Sequence, residues 1–415
     1  MKQKFSIIAQ GHSMYPLLRD GDMLKYTRVP FNTINLNDVV LTYVDALFIT
    51  HRVIYKTKNT YITRGDNNNK ADAPLQKARA IAKVIRFKRS GIWHEIQEVY
   101  FTQSALYLTE INKFATLFQL NKISHVFLKG VLVSLRYEGA IPKRIYADCD
   151  ILVSRDQMSQ IGSIMKRLGY VAVDKPLTTQ INKNKYPVPP EISYVKMVRG
   201  VPIVFDIHFE PVFLMTQLGG MNLLYPKKQL LSLGNKMINN REVKKVKGFK
   251  YSLCKPSDQI LYLSLHIFHH NYTDSIRYQL LDAVIRKSTS KKIWEDLGVT
   301  IGEFHLEGYT YGVFLLLKRY FKTSIPPSFF TKIRPTGFKF QVLSFKINNT
   351  DIFSQDSQIK AGIGRFILIF LLSPESIWKK SLLLIQPEVT YVGIRLVYSI
   401  FFSYVSQVRR QFSRK

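Results

Sequence analysis

Three aspartates stand out for what their spacing could do. In Asp148-Cys149-Asp150-Ile151-Leu152-Val153 two carboxylates lie two residues apart in a run that reads as a buried strand. Residues two apart on a strand face the same side, so Asp148 and Asp150 point one way while Cys149 and Ile151 point into a core. Asp206, in the apolar arm Val201–His208, would bring a third carboxylate. Such a cluster can hold one or two Mg²⁺ or Mn²⁺ ions, hard cations that take oxygen ligands. Without further pattern, an aspartate pair around one residue is more often a solvated strand edge. His208 shares the face of Asp206 and fits either a site or a structural role. His266, His269 and His270 have helical spacing that could ligate a metal, but with no further ligand nearby the structural reading is preferred. The two cysteines, Cys149 and Cys254, have no metal-ligand spacing and make no disulfide framework, which points to a reducing, cytoplasmic setting.

The elements that must position these residues follow from pattern. Residues 5–95 read as short β-segments such as Val39–Tyr43 and Tyr61–Thr63, separated by turn signals at Asp20-Gly21-Asp22, Asn35–Asp38, Lys56–Thr60, Arg64–Asn69 and Ser90-Gly91. From about residue 97 the spacing turns helical through Leu106, Ile111, Phe114 and Phe118. Residues 123–215 mix elements: a helix at Val131–Leu135, the strand Cys149–Val153, a helix Asp156–Leu168 closing at Gly169, and a hairpin ending in Val201–His208. Beyond about residue 250 the chain is mostly helical, at Ser257–Asn271, Tyr278–Arg286 and Tyr309–Phe321. The expected organisation is multidomain: an all-β unit over 1–96, an α+β core over 97–250 and a helical part over 251–415. No low-complexity linker separates them, so they are expected to touch.

Of 415 residues, 46% are apolar and 21% charged, the balance of a folded protein. Sixty Lys+Arg against 29 Asp+Glu leave a net charge of +31, which concentrates anions near the surface. Nucleic acid, nucleotide phosphates, anionic lipid and acidic peptide all suit that charge, and so does a lysine-rich proteome with no such partner. The opening MKQKFSIIAQGHS has too short an apolar run for a signal peptide or a membrane span, so the chain is expected to begin in its first fold. Phe366–Leu372 and Val389–Val405 also fall short of a spanning helix. With Lys379, Lys380, Arg409, Arg410, Arg414 and Lys415 nearby, this end reads as a buried domain helix or as a basic amphipathic helix resting peripherally on an anionic membrane.

Four ordered pieces near the N-terminus carry a resemblance. Gly11-His12-Ser13-Met14-Tyr15-Pro16 with Leu18–Asp22, then Asn37–Val40, Thr50–Ile54, and Thr63–Asn68 with Asp72, are similar to the boxes of the signal peptidase and LexA-type repressor clan. The resemblance implies a serine peptidase-like domain with Ser13 as nucleophile and His51 as general base, as in the histidine-using branch. A serine hydroxyl is a poor nucleophile until a base within hydrogen-bond reach takes its proton. An imidazole near pKa ~6.5 can do so, whereas the adjacent Arg52 stays charged. Asp72, with Asp66 as the alternative, would orient the imidazole. Backbone N–H groups at and just before Ser13 would form the oxyanion hole, with Gly11 allowing close approach.

A second resemblance covers nearly everything from about residue 101. Val126–Val131, Tyr137, Arg144, Asp148–Val153 and Leu168-Gly169-Tyr170, then Val204–His208 and Leu263–His270 leading to Asp282, resemble a family of nucleotidyltransferase-fold proteins, most of them uncharacterised. The resemblance implies that Asp148, Asp150 and Asp206 serve catalysis and hold the metal, and that Lys129 and Gly130, with Arg144, contact a nucleoside triphosphate. The wider superfamily has Gly-Ser where this chain has Lys129-Gly130, which leaves the phosphate contact open.

Together these features imply an enzyme that transfers a nucleotide from a nucleoside triphosphate to a peptide, protein or small molecule, fused to a peptidase-like domain that can process the same substrate. Both families resemble accessory proteins of peptide maturation. Two alternatives are a serine endopeptidase whose larger domain only recruits peptide, and a non-enzymatic basic protein binding nucleic acid or membrane. No zinc knuckle, helix-turn-helix signature or glycine-rich dinucleotide motif supports the last.

Overall fold

The computed structural model describes residues 4–44, 47–76, 80–139, 141–173, 190–211, 214, 219–246, 248–288, 290–387 and 390. Strands β1 (Lys4–Ile8), β2 (Met23–Thr27), β3 (Val39–Val44), β4 (Leu47–Lys56), β5 (Thr60–Arg64), β6 (Leu75–Gln76), β7 (Ala80–Arg89) and β8 (Ile92–Glu95) form one antiparallel sheet. Its order is β1-β2-β7-β3-β4-β5-β6, with β8 paired to β7. β3 buries both faces: Val39 and Leu41 join one core with Met14, Leu18 and Phe87, while Val40 joins another with Phe31, Val53 and Tyr61. Ser90 and Gly91 both take positive φ, 48° and 83°, which suits the two-residue turn of the β7–β8 hairpin.

A second, mixed sheet contains β9 (His125–Phe127), β10 (Cys149–Val153), β11 (Val171–Val173), β12 (Glu191–Val198), β13 (Val201–His208), β14 (Glu242–Val246) and β15 (Phe249–Leu253), in the order β11-β12-β13-β10-β9-β15-β14. β10 and β13 run parallel, with Asp150 directly beside Asp206. Strand alternation sends Phe127, Cys149, Ile151 and Phe205 to one core. Val126, Leu128 and Leu152 go to another on the opposite face.

Helix α1 (Ile96–Leu120) serves both sheets. Ile96 and Tyr100 complete the first core, whereas Tyr107, Ile111, Phe114 and Phe118, spaced four, three and four apart, pack on the second sheet. α2 (Val131–Tyr137) and α3 (Met158–Arg167) flank the second sheet, and Gly169 leaves α3 at φ 81°. The remaining helices are α4 (Lys227–Asn239), α5 (Pro256–His269), α6 (Ser275–Arg286), α7 (Lys291–Glu303), α8 (Glu307–Leu316), α9 (Pro327–Lys332), α10 (Gly337–Asn348), α11 (Gln358–Leu372) and α12 (Ile377–Leu384). α5 is apolar around most of its circumference and almost wholly buried, as such a helix must be. Phe366–Leu372 lies in α11, with Leu368, Ile369 and Leu372 buried. Except for Thr390, the Val389–Val405 stretch lies outside the described residues, as do Arg409, Arg410, Arg414 and Lys415. Among the described residues no helix is long and apolar enough to cross a membrane.

Buried polar contacts lock the first sheet onto the helices. Arg64 donates to Asp274 Oδ1 at 2.8 Å and to the Phe353 carbonyl at 2.8 Å. Gln279 donates to the Ile54 carbonyl at 2.9 Å, and Tyr55 packs against Tyr320, Phe321 and Phe353.

Candidate active site

Asp148, Asp150 and Asp206 converge: one oxygen from each lies within 4.8 Å of the others. Asp150 and Asp206 are neighbours across the β10–β13 pair, and Asp148 immediately precedes β10. Their face of the sheet looks toward α5, whose Tyr262 hydroxyl donates to Asp150 Oδ2 at 2.9 Å. Ser193 on β12 donates to Asp206 Oδ1 at 2.5 Å. His208 places Nε2 3.3 Å from Asp150 Oδ2 and Nδ1 3.3 Å from Glu191 Oε2.

Lys129 lies inside this cluster, its ammonium 2.8 Å from Asp148 Oδ2 and 3.2 Å from Asp150 Oδ1. Burial alone would raise the Asp150 pKa, but Lys129, His208 and the Tyr262 hydrogen bond overcome it and hold the carboxyl below its usual range. Burial likewise works against charge on Lys129 and His208, and the surrounding carboxylates win, raising both. Tyr262 is driven well up by burial, reinforced by Asp150, and stays a proton donor.

Gly130 follows Lys129 at φ 101°, and a Cβ there would stand 2.9 Å from Cys149 Cα and 3.0 Å from the Asp148 carbonyl oxygen. The close approach this glycine permits is therefore to the backbone carrying the aspartates. Arg144 donates to Glu138 at 3.0 Å and lies over Tyr146, while its buried Nη1 makes no hydrogen bond. His266, His269 and His270 are kept well below their ordinary pKa, chiefly by burial. Among the described residues the group able to hold a metal is the aspartate triad, without these histidines.

The N-terminal residues also meet. His51 on β4 places Nε2 3.1 Å from Ser13 Oγ, and its Nδ1 lies 2.7 Å from Asp72 Oδ2. Thr63 donates to the same Asp72 oxygen at 2.6 Å. Asp66 is engaged elsewhere, in two 2.6 Å hydrogen bonds from Arg52, which also donates to the Asn37 carbonyl and the Tyr100 hydroxyl, each at 2.8 Å. The Asn67 N–H bonds the Ser13 carbonyl at 2.7 Å, and a Cβ on Gly65 would come within 2.6 Å of that oxygen.

A cleft of about 1100 Å³ runs between the two sheets. Tyr15, Pro16 and Arg19, just beyond Ser13, form part of one wall; Lys129, Gly130 and Asp148 form part of the other.

Sequence reasoning missed several supporting groups. Glu191 and Ser193 alternate on β12 opposite His208 and Asp206, a polar-apolar rhythm that the hairpin's first arm does display. Tyr262 had no comparable signal, being one apolar-looking position in a helix buried all round. Nor did spacing show that the Lys129 ammonium would fall between the aspartates.

A mixed sheet with three carboxylates gathered on one face, at the edge of a basic cleft, has the polar groups expected of a metal-assisted phosphoryl- or nucleotidyl-transfer protein. Residues 90–322 match the family described as uncharacterised nucleotidyltransferase, more than half of the chain, and the chain belongs to that family. No curated protein and no solved structure matches it. The family match begins at residue 90, so the Ser13, His51 and Asp72 constellation rests on its geometry alone.

Proposed function

We propose that the protein is a metal-dependent nucleotidyltransferase that moves a nucleotide from a nucleoside triphosphate to a hydroxyl of a peptide, protein or small molecule. The observation that carries this reading is the convergence of Asp148, Asp150 and Asp206 within 4.8 Å beside the cleft. The residues present suit a hard divalent cation: all three are oxygen donors, and buried Asp150 Oδ1 accepts no hydrogen bond even with Lys129 nearby. Asp148, Asp150 and Asp206 would hold Mg²⁺ or Mn²⁺, which when bound neutralises triphosphate charge and favours deprotonation of the acceptor hydroxyl.

The chain's own groups supply the rest. Tyr262 and Ser193 fix the orientations of Asp150 and Asp206 through hydrogen bonds. Arg144, whose side chain lines the cleft, offers guanidinium donors to a phosphate oxygen. In the transfer the acceptor oxygen bonds to the α-phosphorus, the bond from that phosphorus to the α,β-bridging oxygen breaks, and pyrophosphate leaves with the electron pair. The acceptor proton passes to solvent or to a site carboxylate.

The cleft volume of about 1100 Å³ exceeds the ~300–1,000 Å³ of a typical small-ligand pocket, leaving room for a nucleotide and an acceptor together. With Tyr15 and Arg19 on its wall, a peptide acceptor presented by the N-terminal sheet is the substrate class this supports best. A second reading, a signal-peptidase-type serine endopeptidase acting alongside the transferase, is favoured by the Ser13–His51–Asp72 hydrogen-bond chain. Titrating ATP, GTP, CTP and UTP with Mn²⁺ by calorimetry tests the transferase reading. Metal-dependent binding lost in an Asp148→Ala/Asp150→Ala variant supports it; no binding to any of the four removes it.

A further inference from the structure

We propose that Lys129 is an internal counter-ion that occupies the carboxylate cluster until a nucleotide arrives, so that the cluster takes up its divalent cation together with the nucleotide and only weakly alone. The inference rests on the reading of Asp148, Asp150 and Asp206 as a metal site and adds a means of controlling it. Its basis is position. The ammonium lies 2.8 Å from Asp148 Oδ2 and 3.2 Å from Asp150 Oδ1, between two of the three aspartates that a cation would need. Two positive charges at that separation repel strongly in a partly desolvated site, so both cannot hold the same pair of oxygens.

The lysine has somewhere to go. Its side chain is 17% exposed and it lines the cleft, the route a triphosphate would take. Its backbone, by contrast, is pinned, because Gly130 lies against the Asp148–Cys149 main chain. Movement is therefore confined to a flexible four-carbon side chain whose head is a compact point charge, suited to exchanging a carboxylate for a phosphate oxygen. Arriving phosphates would offer Lys129 a new partner while leaving Asp148 and Asp150 to the metal. Each event favours the other, which is positive coupling between two ligands.

A neutral residue at position 129 would leave Asp148 without its ammonium partner at 2.8 Å whenever metal is absent, with His208 3.3 Å from Asp150 as the remaining basic group.

The test is Mn²⁺ binding to the full chain without nucleotide, followed by electron paramagnetic resonance, for wild type, Lys129→Met and Lys129→Gln. Both variants are expected to bind Mn²⁺ at least about tenfold more tightly than wild type, a change of ~1.4 kcal/mol. Thermal melts guard against misfolding: if loss of the counter-ion weakens the fold, added Mn²⁺ should raise the variants' Tm more than the wild type's. Equal or weaker Mn²⁺ binding by folded variants overturns the proposal. Should that binding still vanish in Asp148→Asn/Asp150→Asn, the metal site stands and only the counter-ion role fails. If neither wild type nor the lysine variants bind Mn²⁺, both fall.

Discussion

Replacing Asp150 by asparagine separates the chemistry of the cluster from its contribution to the fold. The side chain is 3% exposed and holds Tyr262 at 2.9 Å, Lys129 at 3.2 Å and His208 at 3.3 Å. Removing one member of a buried ion pair ordinarily costs ~3–5 kcal/mol, because the other charge is stranded. Here neither partner is stranded: Lys129 retains Asp148 at 2.8 Å and His208 retains Glu191 at 3.3 Å. Asparagine also keeps an oxygen for the Tyr262 hydroxyl. The cost to stability should thus fall to about 1–2 kcal/mol, a Tm change of a few degrees. The effect on transfer should be much larger, since removing one preorganised electrostatic group typically costs ~10²–10³ in rate. Pyrophosphate release in the presence of Mn²⁺ and nucleotide, measured beside a thermal melt, reads both. A variant that melts within those few degrees yet releases pyrophosphate within twofold of wild type would refute the assignment. Asp206→Asn is the companion if Asp150→Asn melts much earlier, because Asp206 is only half-buried.

The other expectations address the remaining parts of the structure. Ser13→Ala should abolish labelling by a fluorophosphonate probe, and Asp72→Asn should slow it by up to ~10⁴ by permitting the wrong His51 tautomer; equal labelling of Ser13→Ala and wild type would remove Ser13 as nucleophile. Acid should destabilise the fold above the range where carboxylates titrate. His125 is pushed down to about 4 by burial, and His266, His269 and His270 are also depressed. In the unfolded chain these groups take up protons near pH ~6.5, so their contribution is complete above that pH and is lost as pH falls toward the folded values. His208, shifted upward, has the opposite sign, contributing below pH ~6.5 and losing that contribution as pH rises, but it is one group against four. The urea midpoint should therefore drop between pH 7 and 4.5, and a flat profile would contradict the downward shift of these imidazoles. Gly130→Ala should cost at least ~1–3 kcal/mol in urea unfolding, since both φ 101° and the 2.9 Å approach to Cys149 oppose a side chain.

Those parts of the structure that depend on local pattern were legible in the sequence. Cys149–Val153 and Val201–His208 announce strands because aspartates interrupt otherwise apolar runs, and the parallel pairing that brings Asp150 beside Asp206 gives that pattern its meaning. Helical spacing identified Ile111, Phe114 and Phe118, but periodicity does not state which surface a helix covers. It could not show that α1 begins in one core with Ile96 and Tyr100 and ends in another. Lys129 was visible as a charge beside a glycine. Its placement between two carboxylates depends on the turn between β9 and α2, whose geometry is set by contact with β10. Tyr262 was hidden because a helix buried on all sides gives its polar tip no periodic mark.

The relation between the two constellations follows from strand alternation. On β4, His51 faces Ser13 while the next residue, Arg52, turns the other way to Asp66 and the Tyr100 hydroxyl of α1. On β5, Thr63 donates to Asp72 while the next residue, Arg64, reaches Asp274 at the start of α6. Thus each strand that orients the serine constellation uses the adjacent residue to hold another element: Arg52 fixes α1 within the first core, and Arg64 docks the sheet against the helical half of the molecule. The Arg64 side chain is 4% exposed and bonded to Asp274 at 2.8 Å, so a rotation between the halves would strand buried charge. The wall containing Tyr15 and Arg19 is consequently held at a fixed distance from the aspartates, and the cleft is a preformed space. Ser13, His51 and Asp72 do not line that cleft, so a substrate reaching both constellations must extend beyond it. Under the proposed function, this requirement favours an extended polypeptide over a small molecule as a substrate common to both.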